Sequence, residues 1–111
     1  MKNHDVYFLA EALEDLEEII LFIAQDKKKA AIQMHDEIIK RANHLSSFPK
    51  IGRLIPDKKM SEAGYRMLGV KPYILFYRII DEKVFIYRIL HGASNYQMLY
   101  SIMTKTDFEI K

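Results

Sequence analysis

The side chains best suited to chemistry lie in the second half of the chain, where cations and one histidine are interspersed with aromatic residues. A site that binds or cleaves a phosphodiester needs cations to hold phosphate and groups that exchange protons near neutral pH. His91 is the best acid–base candidate, because imidazole changes charge within the physiological range. The candidate phosphate-binding residues are Arg66, Lys71, Arg78 and Arg88, and the tyrosines that can stack on a base or donate a proton are Tyr96 and Tyr100.

The same residues also have a purely structural interpretation. The histidine then satisfies backbone groups at a strand end, the arginines pair with acidic helices, and the tyrosines fill the edge of the core. Spacing alone leaves both interpretations open. His35 and His44 are two and a half helical turns apart and face opposite ways, so no metal site and no cofactor are expected.

Length and composition predict one domain over residues 1–111. Half of the 111 residues are apolar, which is enough for a single core. The chain contains no cysteine, which excludes disulfides and fits a reducing cytoplasm. The N-terminus lacks a basic region followed by an apolar run, and no apolar stretch approaches about 18 residues. We therefore expect a soluble cytoplasmic protein.

The two halves of the chain differ in charge. Residues 1–45 carry six basic and nine acidic residues, a net charge of −3, whereas residues 46–111 carry 11 and six, a net charge of +5. A basic second half suits an anionic partner, either nucleic acid or an acidic protein segment.

Apolar periodicity predicts two helices in the acidic half, after a short first strand over Val6 to Leu9. The first helix, over residues 10–25, follows a stripe of Ala10, Leu13, Leu16, Ile20 and Ile23. The second, over residues 29–45, follows a stripe of Ala31, Met34, Ile38, Ala42 and Leu45. The connection is short, so the helices are expected to pack as an antiparallel hairpin.

Three apolar runs predict strands in the basic half, after a loop over residues 50–59. The runs are Arg66 to Val70, Tyr73 to Ile80 and Val84 to Leu90. The resulting β-α-α-β-β-β order predicts an α+β fold, in which the helical hairpin covers one face of a small antiparallel sheet and the other face stays uncovered. A three-residue loop before Val84 would place Arg78 and Arg88 on the same face, and a two-residue loop would not. We expect the three-residue loop.

Several segments in a fixed order resemble the RelE/ParE superfamily of toxins. No single segment is specific, but their ordered combination is, and it extends from about Val6 to Tyr100. The segments are 11–19 (EALEDLEEI), 45–52 (LSSFPKIG), 65–68 (YRML), 73–79 (YILFYRI) and 84–92 (VFIYRILHG).

The resemblance implies the toxin half of a type II toxin–antitoxin (plasmid stabilization) system, silenced by a cognate antitoxin. RelE-like members are mRNA interferases that cut messenger RNA on the ribosome without a metal, whereas ParE-like members inhibit DNA gyrase by binding it. Ile74 and Ala93-Ser94 stand where many relatives carry arginine, and neutral side chains cannot replace the lost charge that would hold phosphate. We therefore expect a ParE-like, growth-inhibiting toxin that acts by binding.

Two alternatives remain open. In a metal-independent endoribonuclease of the RelE type, His91, Tyr100 and Arg66 would be the catalytic candidates. Lys71, Arg78, Arg88 and Tyr96 would then bind the substrate. The other alternative is a non-toxic relative that still binds an antitoxin.

Overall fold

A computed structural model describes residues 3–92, together with Leu99, Ser101 and Met103. The predicted order of a strand, two helices and three strands is confirmed. Residues 50–59, expected as a loop, also contain a two-residue strand and the start of a short helix. The elements are β1 Asp5–Phe8, α1 Ala10–Ala24, α2 Lys28–His44, β2 Arg53–Leu54, α3 Lys58–Glu62, β3 Tyr65–Val70, β4 Tyr73–Ile80 and β5 Lys83–His91.

The strands form one five-stranded sheet in the order β1-β5-β4-β3-β2. The consecutive strands β2, β3, β4 and β5 pair antiparallel with one another; short turns join β3 to β4 and β4 to β5, and a segment with α3 joins β2 to β3. β1 lies beside β5 and pairs parallel with it, so the sheet is mixed. The two strands are not consecutive in the chain, because the helical hairpin and the strands β2 to β4 separate them. The predicted antiparallel sheet is therefore correct for all strands except β1.

The helical hairpin packs on one face of the sheet and forms the main core. Ala31, Ile38, Ala42 and Leu45 of the predicted α2 stripe are all buried, and Met34 packs at its edge. From the sheet, the core receives Leu68 and Val70 of β3, Leu75 and Tyr77 of β4, and Val84, Ile86 and Ile89 of β5.

The predicted stripe of α1 is rotated from the buried one. Leu13 is 52% exposed, whereas Ala12, Leu16 and Ile19 are buried. Asp15 lies within the buried arc and is only 9% exposed. The apolar spacing along α1 is compatible with either rotation of the helix about its axis. The ion pair of Asp15 described below favours the observed rotation.

The expectation that the second sheet face is uncovered is wrong. Ile55 and Met60, from the segment predicted as a loop, pack on that face with Leu99 and Met103. A side-chain bond fixes the start of α3, because the Asp57 carboxylate accepts from Met60 N at 3.0 Å. The covered side chains from the sheet are Tyr65, Met67, Phe76 and Tyr87.

The expected three-residue loop between β4 and β5 is also wrong. Ile80 pairs with Lys83, so the loop has two residues, and its Asp81 adopts a φ of 57°. The register then shifts between Phe76 and Tyr77 of β4, and this irregularity pairs Arg88 with Phe76, as the three-residue loop would have done. The two arginines nevertheless contact different elements, since Arg78 reaches Tyr65 of β3 whereas Arg88 reaches Asp15 of α1.

Candidate functional site

His91 and Lys71 lie at the same end of the sheet. His91 pairs with Tyr73 at the end of β5, and their rings meet edge to face with centroids 5.5 Å apart. The Gly92 N–H donates to Pro72 O at 3.1 Å, which joins this strand end to the turn that contains Lys71. Both His91 and Lys71 are exposed.

Arg66, the other described catalytic candidate, lies elsewhere. It pairs with Tyr77 in the β3–β4 ladder, whereas His91 pairs with Tyr73, four residues away on β4. The rise along four strand residues and two spacings between neighbouring strands together separate the Cα atoms of Arg66 and His91 by about 16 Å. The Arg66 guanidinium donates to Gly52 O at 2.7 Å and holds the segment that follows α2. The structure does not bring these two candidates into one catalytic centre.

Arg88 is engaged by the acidic helix, as in the structural interpretation of the sequence. Its Nε and Nη2 atoms donate to the two Asp15 carboxylate oxygens at 2.7 and 2.9 Å. Asp15 also accepts from Ile89 N at 2.9 Å. The hydrogen bonds to Asp15 raise the pKa of Arg88, and the charges of Glu11 and Glu18 act in the same direction. The guanidinium therefore serves as a tether between α1 and β5.

Arg78 lies beside Tyr65 of the second core cluster. Its guanidinium carbon is 5.2 Å from the centroid of the Tyr65 ring, and Nη1 lies 3.3 Å from the Tyr65 hydroxyl. This is a cation–π contact at the edge of the second core cluster. Tyr96 and Tyr100, the other two predicted site residues, lie outside the described residues.

A cavity of about 470 Å³ opens between α1 and the His91 end of the sheet. The Asp15–Arg88 pair forms part of its wall, together with Glu18, Phe22 and His91. The nearby charges on α1 are all negative, so the cavity suits a cationic or apolar group better than a phosphate. Within the described ranges, no group of three or more His, Cys, Asp or Glu residues is arranged to hold a metal ion. No helix there is long and apolar enough to cross a membrane.

Asp15 and Tyr77 are not among the predicted site residues, although both hold other elements in place. Asp15 lies outside the predicted apolar stripe of α1, and Tyr77 lies within an apolar run predicted as a strand. The Tyr77 hydroxyl donates to Pro49 O at 2.7 Å and accepts from Gly52 N at 2.9 Å. The only sequence signal for these contacts is the presence of polar groups in otherwise apolar stripes.

Two groups of exposed apolar side chains flank these tethers, and Tyr7 and Leu13 are exposed outside them. The hairpin patch consists of Leu21, Phe22 and Ile32, which are 59%, 71% and 62% exposed on α1 and α2. The loop patch follows α2 and consists of Phe48, Ile51 and Leu54, which are 58%, 54% and 42% exposed. Exposed apolar groups of this size commonly mark protein-binding surfaces.

A helical hairpin on a small sheet is also found in solved toxin–antitoxin systems. The fold is similar to that of the chromosomal ParDE toxin–antitoxin system from P. aeruginosa, with a TM-score of 0.67, 18% identity, and coverage of 81% of this chain and 97% of that one. It is also similar to the RelBE2 toxin–antitoxin complex from Mycobacterium tuberculosis, with a TM-score of 0.62, 22% identity, and coverage of 81% and 99%. The chain therefore shares the fold of the toxins in these systems.

The sequence comparison identifies the family. The family described as ParE toxin of the type II toxin–antitoxin system, parDE, matches residues 6–96. The chain therefore belongs to the ParE toxin family. It is also 42% identical over 53 residues to Toxin ParE3 of Caulobacter vibrioides, a match that covers 48% of this chain and 50% of that toxin. The matched stretch thus spans half the length of that relative.

Proposed function

We propose that this ParE-family toxin inhibits growth by binding a protein target, with DNA gyrase as the candidate, and that a cognate antitoxin neutralises it in the cytoplasm. One observation carries the preference for binding over catalysis. Arg66 and His91 lie about 16 Å apart by strand geometry, and each has a structural partner. Arg88, a third candidate, is neutralised by Asp15.

The hairpin patch supports the proposal of an antitoxin partner. Leu21, Phe22 and Ile32 present apolar groups on two adjacent antiparallel helices, the arrangement that accepts an amphipathic helix. α1 contributes five acidic residues and no basic residue, whereas Lys28 and Lys29 begin α2 just before Ile32, so basic residues of the antitoxin would complement the α1 side of the patch. Both similar solved structures are toxin–antitoxin systems, which supports the same partner class.

A RelE-like nuclease is the second candidate. His91 and Lys71 are exposed at one end of the sheet. Beside Lys71, a cavity of about 310 Å³ is lined by Lys71 and Arg53 over Met67 and Ile74. These cations can hold a phosphate. Ribosome-dependent cleavage would then use His91 as the acid–base group.

Induction of the chain in growing cells tests these candidates together. We expect growth arrest with altered plasmid supercoiling, while primer extension on cellular mRNA detects no new cuts. Codon-phased cuts that disappear with His91→Ala would instead support the nuclease. Normal growth at a confirmed level of folded protein would contradict both forms of toxicity and leave an antitoxin-binding relative.

A second experiment tests the antitoxin. The small open reading frame beside the gene is co-expressed, and its product should co-purify with the wild-type chain and restore growth. Leu21→Asp should weaken co-purification, because it places a charge in the hairpin patch. Ile51→Asp, in the loop patch, is the matched control and should retain it. Failure of the wild-type chain to co-purify would count against the proposed partner.

A further inference from the structure

The segment from Phe48 to Leu54 runs from the end of α2 into the short strand β2, and three buried or half-buried side-chain contacts hold it in one shape. Tyr77 donates to Pro49 O at 2.7 Å and accepts from Gly52 N at 2.9 Å. Arg66 donates to Gly52 O at 2.7 Å. A loop fixed in this way loses little conformational entropy when it binds.

Gly52 shows how tightly the loop is packed on the sheet. A Cβ atom at this position would lie 2.6 Å from the Tyr77 hydroxyl and 2.7 Å from Met67 O. Only glycine allows the backbone to approach so closely. The close approach pins the centre of the loop, and Phe48, Ile51 and Leu54 are left exposed on it.

The exposed side chains of the loop patch do not contribute to the core of the free protein. Phe48, Ile51 and Leu54 are each more than 40% exposed, although burial of such side chains is favourable. Phe48 and Ile51 also line a shallow depression of about 350 Å³ with Pro49 and Lys50. A rigid surface with apolar anchors and a small depression has the form of a protein-binding hot spot.

The charge around the loop patch selects the partner. Residues 48–59 contain four basic residues and one acidic residue, a net charge of +3. Lys50 and Arg53 are exposed within the patch, and Lys58 follows it at the start of α3. Two of the three apolar anchors are aliphatic and cannot stack on bases, which favours a protein over a nucleic acid.

We propose that the loop patch is the surface through which this toxin engages its target, and that it docks into an apolar recess surrounded by acidic residues on that protein. This inference rests on the proposed function and adds the binding surface and the chemistry of its partner. It also separates two roles, since the antitoxin is assigned to the hairpin patch and the target to the loop patch.

The test measures binding of purified DNA gyrase to the full chain. Ile51→Asp is compared with Ile32→Asp, an equally exposed isoleucine changed in the same way in the hairpin patch. Circular dichroism and thermal unfolding first confirm that both variants fold. We expect Ile51→Asp to weaken gyrase binding and inhibition of supercoiling at least tenfold, whereas Ile32→Asp leaves both unchanged. Lys50→Glu should slow association and reduce its dependence on salt.

The outcomes separate this inference from the proposed function. Gyrase binding that survives Ile51→Asp, or that is lost only with Ile32→Asp, overturns the inference and leaves the proposed function intact. Absence of gyrase binding by the wild-type chain overturns both. A dimer that Ile51→Asp converts to a monomer would assign the patch to a second copy, and RNA binding that depends on Lys50 but not on Ile51 would assign it to a nucleic acid. Either result would overturn the inference.

Discussion

α1 and the loop from Phe48 to Leu54 both present apolar groups to solvent, and both are fastened to the sheet by polar side chains. β5 holds α1 through the Arg88–Asp15 pair, and β4 holds the loop through the Tyr77 hydroxyl. The two regions differ in how their backbone N–H and C=O groups find hydrogen-bond partners. A helix satisfies most of its own N–H and C=O groups, whereas an irregular loop depends on groups supplied by its neighbours.

The two regions also differ in charge. α1 carries five acidic residues and no basic residue, whereas residues 48–59 have a net charge of +3. The anchors on α1 therefore lie on an acidic helix, with Lys28 and Lys29 close to Ile32 on α2, whereas the anchors of the loop lie in a basic segment, and one protein can offer distinct surfaces to two partners. Exposed apolar area therefore marks a binding surface, and the charge around it selects the partner.

The largest expected effect comes from breaking the tether of α1. Asp15→Ala leaves the Arg88 guanidinium and the Ile89 N–H without their carboxylate. Because the Arg88 and Asp15 side chains are only 21% and 10% exposed, we expect the free energy of unfolding to fall by about 3 kcal/mol. Urea denaturation measures this. Glu17→Ala, at an exposed position of the same helix, should change stability by less than about 0.5 kcal/mol. Equal losses in both variants would contradict the tether.

The second-largest loss of stability is expected from a substitution at Gly52, where the loop lies closest to the sheet. Gly52→Ala forces its Cβ against the Tyr77 hydroxyl and Met67 O, and the atoms must move apart. We expect a loss of about 2 kcal/mol in the free energy of unfolding. Gly69→Ala is the matched control, since a Cβ at that strand position meets no atom within 4 Å. A similar loss at both positions would show that glycine packing does not distinguish the loop.

The smallest effect is expected from removing one hydroxyl. Tyr77→Phe deletes the bonds to Pro49 and Gly52 and should lower the free energy of unfolding by about 1.5 kcal/mol. Burial raises the pKa of Tyr77 above its ordinary value of 10.0, against the opposing effects of the Gly52 hydrogen bond and Arg66. This contribution is therefore present below pH 10 and is lost as the pH rises through the higher folded-state pKa.

Denaturation curves at increasing pH test this sign. Above pH 10 the stability of Tyr77→Phe should fall less steeply with pH than that of the wild-type chain, because the unfolded wild-type chain gains stability when Tyr77 ionises. Parallel declines would show that Tyr77 does not contribute to the pH dependence.

Much of the fold was predictable because hydrophobic periodicity encodes it directly. The α2 stripe from Ala31 to Leu45 and the β4 and β5 runs were correct, since each repeats at the period of its element. The cover of the second sheet face was missed. Ile55 and Met60 lie in a segment rich in turn formers, and an element as short as α3 has no detectable period.

The candidate site was less predictable, because its residues meet only through pairing register and helix rotation. A single register shift between Phe76 and Tyr77 decides which residue of β4 lies opposite Arg88. The rotation of α1 buries Asp15 instead of Leu13 and so decides which acidic residue meets Arg88. Neither choice leaves a signature in residue spacing.

The sequence by itself determined the order of the major elements, the charge asymmetry between the two halves and the resemblance to the toxin superfamily. These are local or compositional properties, which each segment carries without its neighbours. Only the tertiary structure decided that Arg66 and Arg88 act as tethers, that both sheet faces are covered and that Gly52 fixes an exposed apolar loop. Such contacts join residues far apart in the chain, and their geometry exists only once the sheet has formed.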